Sequence, residues 1–157
     1  MQSPLKIASR LLLSLVLTAA AACSGDDGGS TGPSTPPPSG EVSGTYSLTQ
    51  VRTNGNLGGG GSSLPVTFTD GAGNELKFVS GTLVMGADGS FDLDVQATYN
   101  GGAVTMTDYG TYSAAGNSID FNSQKSTPRL STGTLSGSKL TANAQFGGIP
   151  FEIDVVR

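Results

Sequence analysis

From residue 41 to the C-terminus, apolar and polar residues alternate along the chain. The alternation is clearest in the segments FDLDVQATY (91–99), LTANAQF (140–146) and FEIDV (151–155). Because successive side chains of an extended strand point to opposite faces, each segment is expected to bury one face and expose the other. The 3.6-residue periodicity of an amphipathic helix is missing here. The pattern therefore predicts an all-β domain.

Tight-turn dipeptides separate these segments. They are Asp88-Gly89, Asn100-Gly101, Gly116-Asn117, Ser136-Gly137 and Gly147-Gly148. Because each connection is short, neighbouring segments are predicted to pair as antiparallel hairpins. About eight or nine strands are predicted, at residues 42–52, 64–69, 75–86, 90–100, 103–113, 118–123, 129–136, 139–146 and 149–156.

A meander of hairpins with one apolar face leaves its first and last strands with unpaired edges. Closure into an up-and-down barrel pairs these edges with each other. A Gly-Thr pair recurs in four of the predicted strands, at Gly44, Gly81, Gly110 and Gly133. Glycine inside a strand permits the sharp coiling that closure requires. We therefore predict an antiparallel barrel of about eight or nine strands. A Greek-key sandwich is the alternative, because one sequence does not show strand order.

The first 40 residues have a different pattern. Lys6 and Arg10 precede an apolar segment at 11–22 that ends in small residues and is shorter than the roughly 20 residues a membrane-spanning helix needs, which is typical of a secretory signal peptide. Residues 24–40 contain no large apolar side chain, so burial cannot offset the entropy of ordering them. The prediction is a signal peptide, a disordered tether and one domain, at residues 1–22, 23–40 and 41–157.

Cys23 is the only cysteine, and it follows Ala20-Ala21-Ala22. This sequence resembles the lipobox of bacterial lipoproteins, whose cysteine is acylated and becomes the new N-terminus. The resemblance implies that lipid on Cys23 anchors the chain in the bacterial cell envelope, in the outer membrane, facing the periplasm or the cell surface. The alternative is ordinary cleavage that leaves Cys23 as a thiol. A single cysteine cannot form an internal disulfide.

The domain itself resembles the small lipocalin-like domains of bacterial lipoproteins. The segments that carry the resemblance are GTY (44–46), GTLVMGADGSF (81–91), GTYSAAGNSIDF (110–121), GTLSGSKL (133–140) and the C-terminal Arg157. The resemblance implies a barrel that binds a small apolar or amphipathic molecule. It also implies that Tyr46 takes the place of the family's tryptophan and that Arg157 packs over it where the ends of the chain meet.

The alternation assigns twelve residues to the inside of the predicted barrel, where they are candidates for ligand binding. Two are phenols and the others are apolar, a mixture common in small-molecule sites. No charged residue other than Arg157 is expected on this face, which favours a neutral or weakly acidic amphiphile. The twelve are Tyr46, Leu48, Phe78, Leu83, Met85, Phe91, Leu93, Val95, Tyr112, Phe121, Phe146 and Ile153.

An eight-stranded barrel is at the border between one filled by side chains and one that holds a ligand. The alternative function is therefore a structural or protein-interaction module of the envelope, with a filled barrel and an active outer surface. The longest irregular stretch, at 53–63, contains four consecutive glycines but no following Lys-Ser/Thr, so it is not a phosphate-binding loop. It is either a lid over the barrel mouth or a flexible connection.

Composition argues against catalysis. The chain has no histidine, which removes the usual general base and the commonest metal ligand, and no serine has an activating partner. Asp88, Ser90, Asp92 and Asp94 fit a turn and a solvated strand face better than a calcium site. Asp92 and Asp94 likewise fit the solvated face of a strand better than the carboxylate pair of a glycosidase. We expect no enzyme activity, metal or cofactor. With 8 basic and 12 acidic residues, a net charge of −4, the chain is also a poor partner for nucleic acid.

Overall fold

The computed structural model describes residues 42–53 and 62–157, and every regular element in these residues is a β-strand. The predicted signal peptide, Cys23, the tether and most of the glycine-rich stretch lie outside the described residues. None of the residues described forms a helix that could cross a membrane. The strands are β1 (Gly44–Thr53), β2 (Ser62–Ser63), β3 (Val66–Thr69), β4 (Glu75–Met85), β5 (Ser90–Tyr99), β6 (Gly102–Ala115), β7 (Ser118–Ser123), β8 (Arg129–Ser136), β9 (Lys139–Phe146) and β10 (Ile149–Val156).

The strands form one antiparallel meander that closes on itself. From β4 to β10 each strand pairs with the next, and β10 pairs with residues 47–53 of β1. On its other side, β1 pairs through residues 44–47 with the end of β4. Eight strands, β1 and β4–β10, thus form a closed barrel. The predicted barrel is confirmed, and this closure excludes the sandwich.

One extra strand is inserted between β1 and β4, and it is interrupted. β2 pairs with β1, whereas β3 pairs with β4. The interruption falls at Leu64 and Pro65, within the segment predicted as one strand at 64–69. Proline has no backbone N–H to donate to a ladder, which explains why pairing stops there.

Strand β6 is the longest of the described strands, and it extends beyond the end of its neighbour β7. β5 pairs with β6 along residues 102–111, but β7 pairs only with residues 110–115. In the part of the chain that the structure describes, the first half of β6 therefore has a paired strand on one side only. This mismatch opens the wall of the barrel near the β5–β6 turn.

The β5–β6 turn is fixed by its sequence. Asn100 and Gly101 both have positive φ angles, 49° and 82°, as a type I′ hairpin turn requires. The Asn100 side chain also accepts a hydrogen bond from the Glu75 N–H at 2.8 Å and donates one to Asn74 Oδ1 at 3.0 Å. Two neighbouring turns are thereby joined at the same end of the barrel.

Packed side chains fill the interior. Phe68, Phe78, Phe146 and Phe151 form an aromatic cluster with ring centroids 5.2–5.9 Å apart in tilted or edge-to-face geometry. Such pairs contribute stability beyond their buried area. The cluster belongs to one continuous hydrophobic core that runs through the barrel.

The glycines of the four Gly-Thr pairs lie where another group approaches closely enough to crowd a Cβ atom. At Gly44, a Cβ would lie 2.9 Å from Cδ of Arg157, and at Gly110 it would collide with the carbonyl oxygen of Asn122. At Gly81 and Gly133 the crowding is milder, because the nearest atoms, 2.9–3.0 Å away, belong to leucine side chains. The repeat is therefore explained by close packing inside the coiled sheet.

Candidate functional site

All twelve predicted interior residues are buried, with at most 8% of any of them exposed. They belong to a single hydrophobic core and pack against one another. Only Phe146 among them also lines the open cavity described below. Their side chains thus fill the barrel, and a direct role in ligand binding stays a prediction.

One end of the barrel, here the closed end, is formed where the two ends of the domain meet. The guanidinium carbon of Arg157 lies 5.6 Å from the ring centroid of Tyr46. The Tyr46 hydroxyl donates to the Val42 carbonyl at 2.7 Å, and Arg157 donates to the Ser43 carbonyl at 3.0 Å. Burial raises the pKa of the Tyr46 phenol, and the charge of Arg157 opposes that rise. The predicted partners of barrel closure are in contact.

The opposite end, here the open end, contains a cavity of about 420 Å³. It lies at the β3–β4, β5–β6 and β9–β10 turns. This volume falls within the range of small-molecule sites. The lining residues are Asp70, Leu76, Tyr99, Val104, Met106, Phe146, Gly147 and Ile149.

Strand register explains why the cavity walls are apolar. Val104 pairs with Ala97, and Met106 pairs with Val95, so both β6 side chains share the inner face of the barrel. Because β7 does not continue alongside this half of β6, the inner face is left partly open, and 38% of Val104 is exposed. Phe146, which belongs to the aromatic cluster, forms the buried part of the lining.

Among the described residues that line the cavity, Asp70 is the only charged one, and it holds the β3–β4 turn. Its carboxylate accepts hydrogen bonds from Ala72 N, Asn74 N and Asn74 Nδ2 at 2.8–2.9 Å. These bonds, above all those from Asn74, lower the pKa of Asp70. An ionised carboxylate therefore stands at the edge of an otherwise largely apolar cavity.

Asp108 is a second carboxylate on the inner face, and it is fully buried. It accepts hydrogen bonds from Tyr109 N at 2.9 Å, from Leu130 N at 2.7 Å and from the Ser123 hydroxyl. It thereby bridges β6, β7 and β8 where the β6–β7 ladder ends. The expectation that Arg157 is the only charged residue on this face is wrong. Since Tyr112 was assigned to the inside, a period of two also places Asp108 there.

Lys125, in the β7–β8 connection, contacts β6 just beyond the point where its pairing with β7 ends. Its ammonium donates to the carbonyl oxygen of Thr107 at 2.8 Å and to the hydroxyl of Thr107 at 2.5 Å. It also lies 5.6 Å from the ring centroid of Tyr109. Among residues 42–53 and 62–157, no carboxylate lies within ion-pair distance of Lys125.

A separate ion-pair network joins β1 to β10 on the outer face. Arg52 contacts both carboxylate oxygens of Asp154 at 2.7–2.9 Å and one oxygen of Glu152 at 2.7 Å. Hydrogen bonding from Arg52, followed by that from Thr141, lowers the pKa of the buried Asp154 to about 2. Sequence reasoning missed this network, because its members are about a hundred residues apart along the chain.

The aspartates near the β4–β5 turn are engaged locally. Asp88 accepts hydrogen bonds from the N–H and hydroxyl of Ser90, which shape the turn. Asp92 and Asp94 lie on the outer face of β5. In the described part of the chain, no three His, Cys, Asp or Glu side chains are grouped as a metal site requires.

The candidate site is therefore the cavity at the open end, with Asp70 at its edge and the unpaired half of β6 along one wall. Comparisons with protein-family models, curated proteins and solved structures found no match to this chain.

Proposed function

We propose that the protein is a lipid-anchored lipoprotein of the bacterial cell envelope whose barrel binds a small apolar or amphipathic molecule at its open end. The observation that carries the binding proposal is the cavity of about 420 Å³. Its walls combine apolar side chains with a phenol and a carboxylate, which is the usual make-up of small-molecule sites. The resemblance to lipocalin-like domains supports the same function.

The ligand is proposed to bind at the mouth of the barrel, with at most a short apolar part reaching inward. The phenylalanine cluster beneath the cavity already occupies the interior. Well-packed cores resist the insertion of extra volume. A compact ligand therefore fits this site better than a long acyl chain lying along the barrel axis.

The polar end of the ligand is proposed to be uncharged. Asp70 is held ionised at the edge of the cavity by its hydrogen bonds. A like charge close to this carboxylate is disfavoured by Coulomb repulsion. Within the expected range of neutral to weakly acidic amphiphiles, Asp70 favours the neutral ones.

The anchoring part of the proposal rests on the sequence Ala20-Ala21-Ala22-Cys23 and the polar tether after it. Two or three acyl chains anchor a protein stably, whereas one chain does so only marginally. The tether would hold the domain near the membrane surface. Without a histidine, binding without covalent chemistry is the proposed mode of action.

A matched pair of dyes tests the binding proposal. The neutral fluorophore N-phenyl-1-naphthylamine and its anionic relative anilinonaphthalene sulfonate are titrated into the Cys23→Ser chain, so that no acyl group competes. We expect the neutral dye to bind more tightly. Ile149→Asp in the cavity should abolish this binding, whereas Val84→Asp on the outer face, at a residue 45% exposed, should leave it unchanged. Equal effects of the two substitutions would refute the site.

The filled interior favours a second candidate, a non-catalytic structural or protein-interaction module. In that case neither dye binds to the folded chain. Circular dichroism checks that the Ile149→Asp and Val84→Asp variants are folded. The outer surface and the open wall of the barrel would then carry the function.

A further inference from the structure

Within residues 42–53 and 62–157, the first half of β6 presents a strand edge next to the cavity that pairs with no other strand. β5 pairs with residues 102–111 of β6, whereas β7 pairs only with residues 110–115. The residues between the β5–β6 turn and Thr107 therefore have a strand on one side only. Exposed strand edges of this kind are templates for pairing with another chain.

The free backbone groups can be assigned from the contacts next to them. The Thr107 carbonyl accepts a hydrogen bond from Lys125, which lies on the side away from β5. Backbone groups of alternate residues in a strand point to the same side, so those of Thr105 and Ala103 also point away from β5. Both residues are exposed, and no described residue forms a backbone hydrogen bond with them on that side. They offer N–H and C=O groups to an added strand.

The cavity lies directly behind this edge. The side chains of Val104 and Met106 alternate with Ala103 and Thr105, and both line the cavity. An added strand would lie about 4.8 Å from β6 and share its pleat, so every second side chain would point inward. Those side chains would enter the cavity that Ile149 also lines.

We propose that this edge binds an extended segment of a partner protein by β-strand addition. The segment pairs its backbone with Ala103 and Thr105 and inserts apolar side chains at alternate positions into the cavity. Backbone pairing supplies affinity in this mode, and the pockets for alternate side chains supply specificity. An acidic residue of the segment lies beside Lys125, whose ammonium forms no ion pair among the described residues. The inference does not depend on a small-molecule ligand.

A second copy of this chain fits the edge less well than a single segment does. Two β6 edges paired around a two-fold axis at Thr105 would set Ala103 of each copy against Thr107 of the other. The Thr107 carbonyl already accepts a hydrogen bond from Lys125. The symmetric arrangement would also bring two ammonium groups to the same interface without a carboxylate. A single acidic segment avoids both costs.

Synthetic peptides test the proposal on the full chain. The probes are seven-residue peptides that alternate Thr with Val or Ile and end in Glu, and their affinity is measured by isothermal titration calorimetry. Methylation of the backbone amides on one edge of the peptide is expected to weaken binding at least about tenfold, because those amides pair with β6. Methylation of the other edge is expected to change affinity by less than about twofold.

Variants of the chain test whether the peptide binds at the edge of β6. Thr105→Pro removes an edge N–H at a position where proline is tolerated, and we expect it to weaken peptide binding at least about tenfold. Val104→Asp should do the same, whereas Val84→Asp is its matched control on the outer face. Lys125→Ala should weaken the Glu-ending peptide and not a Gln-ending one. Binding of the neutral dye should survive Thr105→Pro, which separates this proposal from that of the small ligand.

Three outcomes would overturn the inference. The first is that no peptide of the set binds the folded chain. The second is that both methylated peptides bind alike or that Thr105→Pro has no effect. The third is a dimer of the full chain that Thr105→Pro dissociates, seen by analytical ultracentrifugation, which would assign the edge to a second copy.

Discussion

The guanidinium of Arg157 lies over the ring of Tyr46, 5.6 Å from its centroid, and joins the last residue of the chain to the first strand. Gly44 makes room for this contact, because a Cβ there would lie 2.9 Å from Cδ of Arg157. The Tyr46 hydroxyl is held by the Val42 carbonyl. The closed end of the barrel is thus a small cluster of contacts among Val42, Ser43, Gly44, Tyr46 and Arg157.

This contact predicts a measurable coupling. Tyr46→Leu and Arg157→Gln, alone and together, are expected to show an interaction energy of about 0.5–2 kcal/mol, the range for a guanidinium over an aromatic ring. The coupling is calculated from a double-mutant cycle, that is, from the free energies of unfolding in urea of the wild type, the two single variants and the double variant. Additive effects would mean that the two side chains touch without stabilising each other. Arg129→Gln, an exposed arginine at the start of β8, serves as the control partner for Tyr46→Leu.

The Arg52–Asp154 ion pair predicts a loss of stability in acid. The pKa of Asp154 is lowered from 3.8 to about 2, mainly by its hydrogen bonds with Arg52. Because the folded-state pKa is the lower one, the pair stabilises the fold above about pH 4, and this contribution disappears as the pH falls through 2. The difference in pKa corresponds to about 2 kcal/mol.

Asp154→Asn should remove that part of the pH dependence. The measurement is the free energy of unfolding in urea at pH 6 and at pH 2, for the wild type and the variant. Asp120→Asn, at an exposed position of β7, is the control and should keep the wild-type dependence. If both variants lose stability in acid as the wild type does, Asp154 is not the group responsible.

Asp108 predicts a structural penalty at the junction of β6, β7 and β8. In Asp108→Asn, one carboxylate oxygen becomes an amide NH2 group, which cannot accept a hydrogen bond. Leu130 N and Tyr109 N donate to different oxygens of Asp108, so one of these two N–H groups loses its acceptor. An unsatisfied buried polar group costs about 1–3 kcal/mol. We expect a loss of that size in urea unfolding, together with faster hydrogen exchange at Leu130 or Tyr109. Asp120→Asn again provides the exposed control, and unchanged exchange at both amides would contradict the bridging role.

Much of the fold follows from the sequence because its signals are local. Alternation fixes which face of a strand is buried, and Asn100-Gly101 fixes a type I′ turn, so antiparallel neighbours and a one-sided core follow. The barrel then closes if the first and last strands pair with each other, since neither has another strand to pair with on that side. The predicted strand bounds therefore differ from those observed by only a few residues, apart from the interruption at Pro65.

The open end could not be predicted in the same way, because it depends on strand register. The cavity exists since β6 extends past β7, and no local pattern shows where a partner strand stops. The Arg52–Asp154 pair likewise requires the alignment of β1 with β10. Asp108 is different, because the period of two that placed Tyr112 inside could have placed Asp108 there as well.

Cys23 carries the prediction that bears most directly on location. If the Ala20-Ala21-Ala22-Cys23 sequence is processed as a lipobox, the wild-type chain will sediment with membranes, and Cys23→Ser will release it into the soluble fraction. Stable retention requires more than one acyl chain, so the intact mass of the mature protein should show two or three. Ser24→Ala, next to the same site, is the control and should stay with the membranes. A mature protein that begins at Cys23 without any acyl group would rule out the anchor and leave ordinary signal-peptide cleavage.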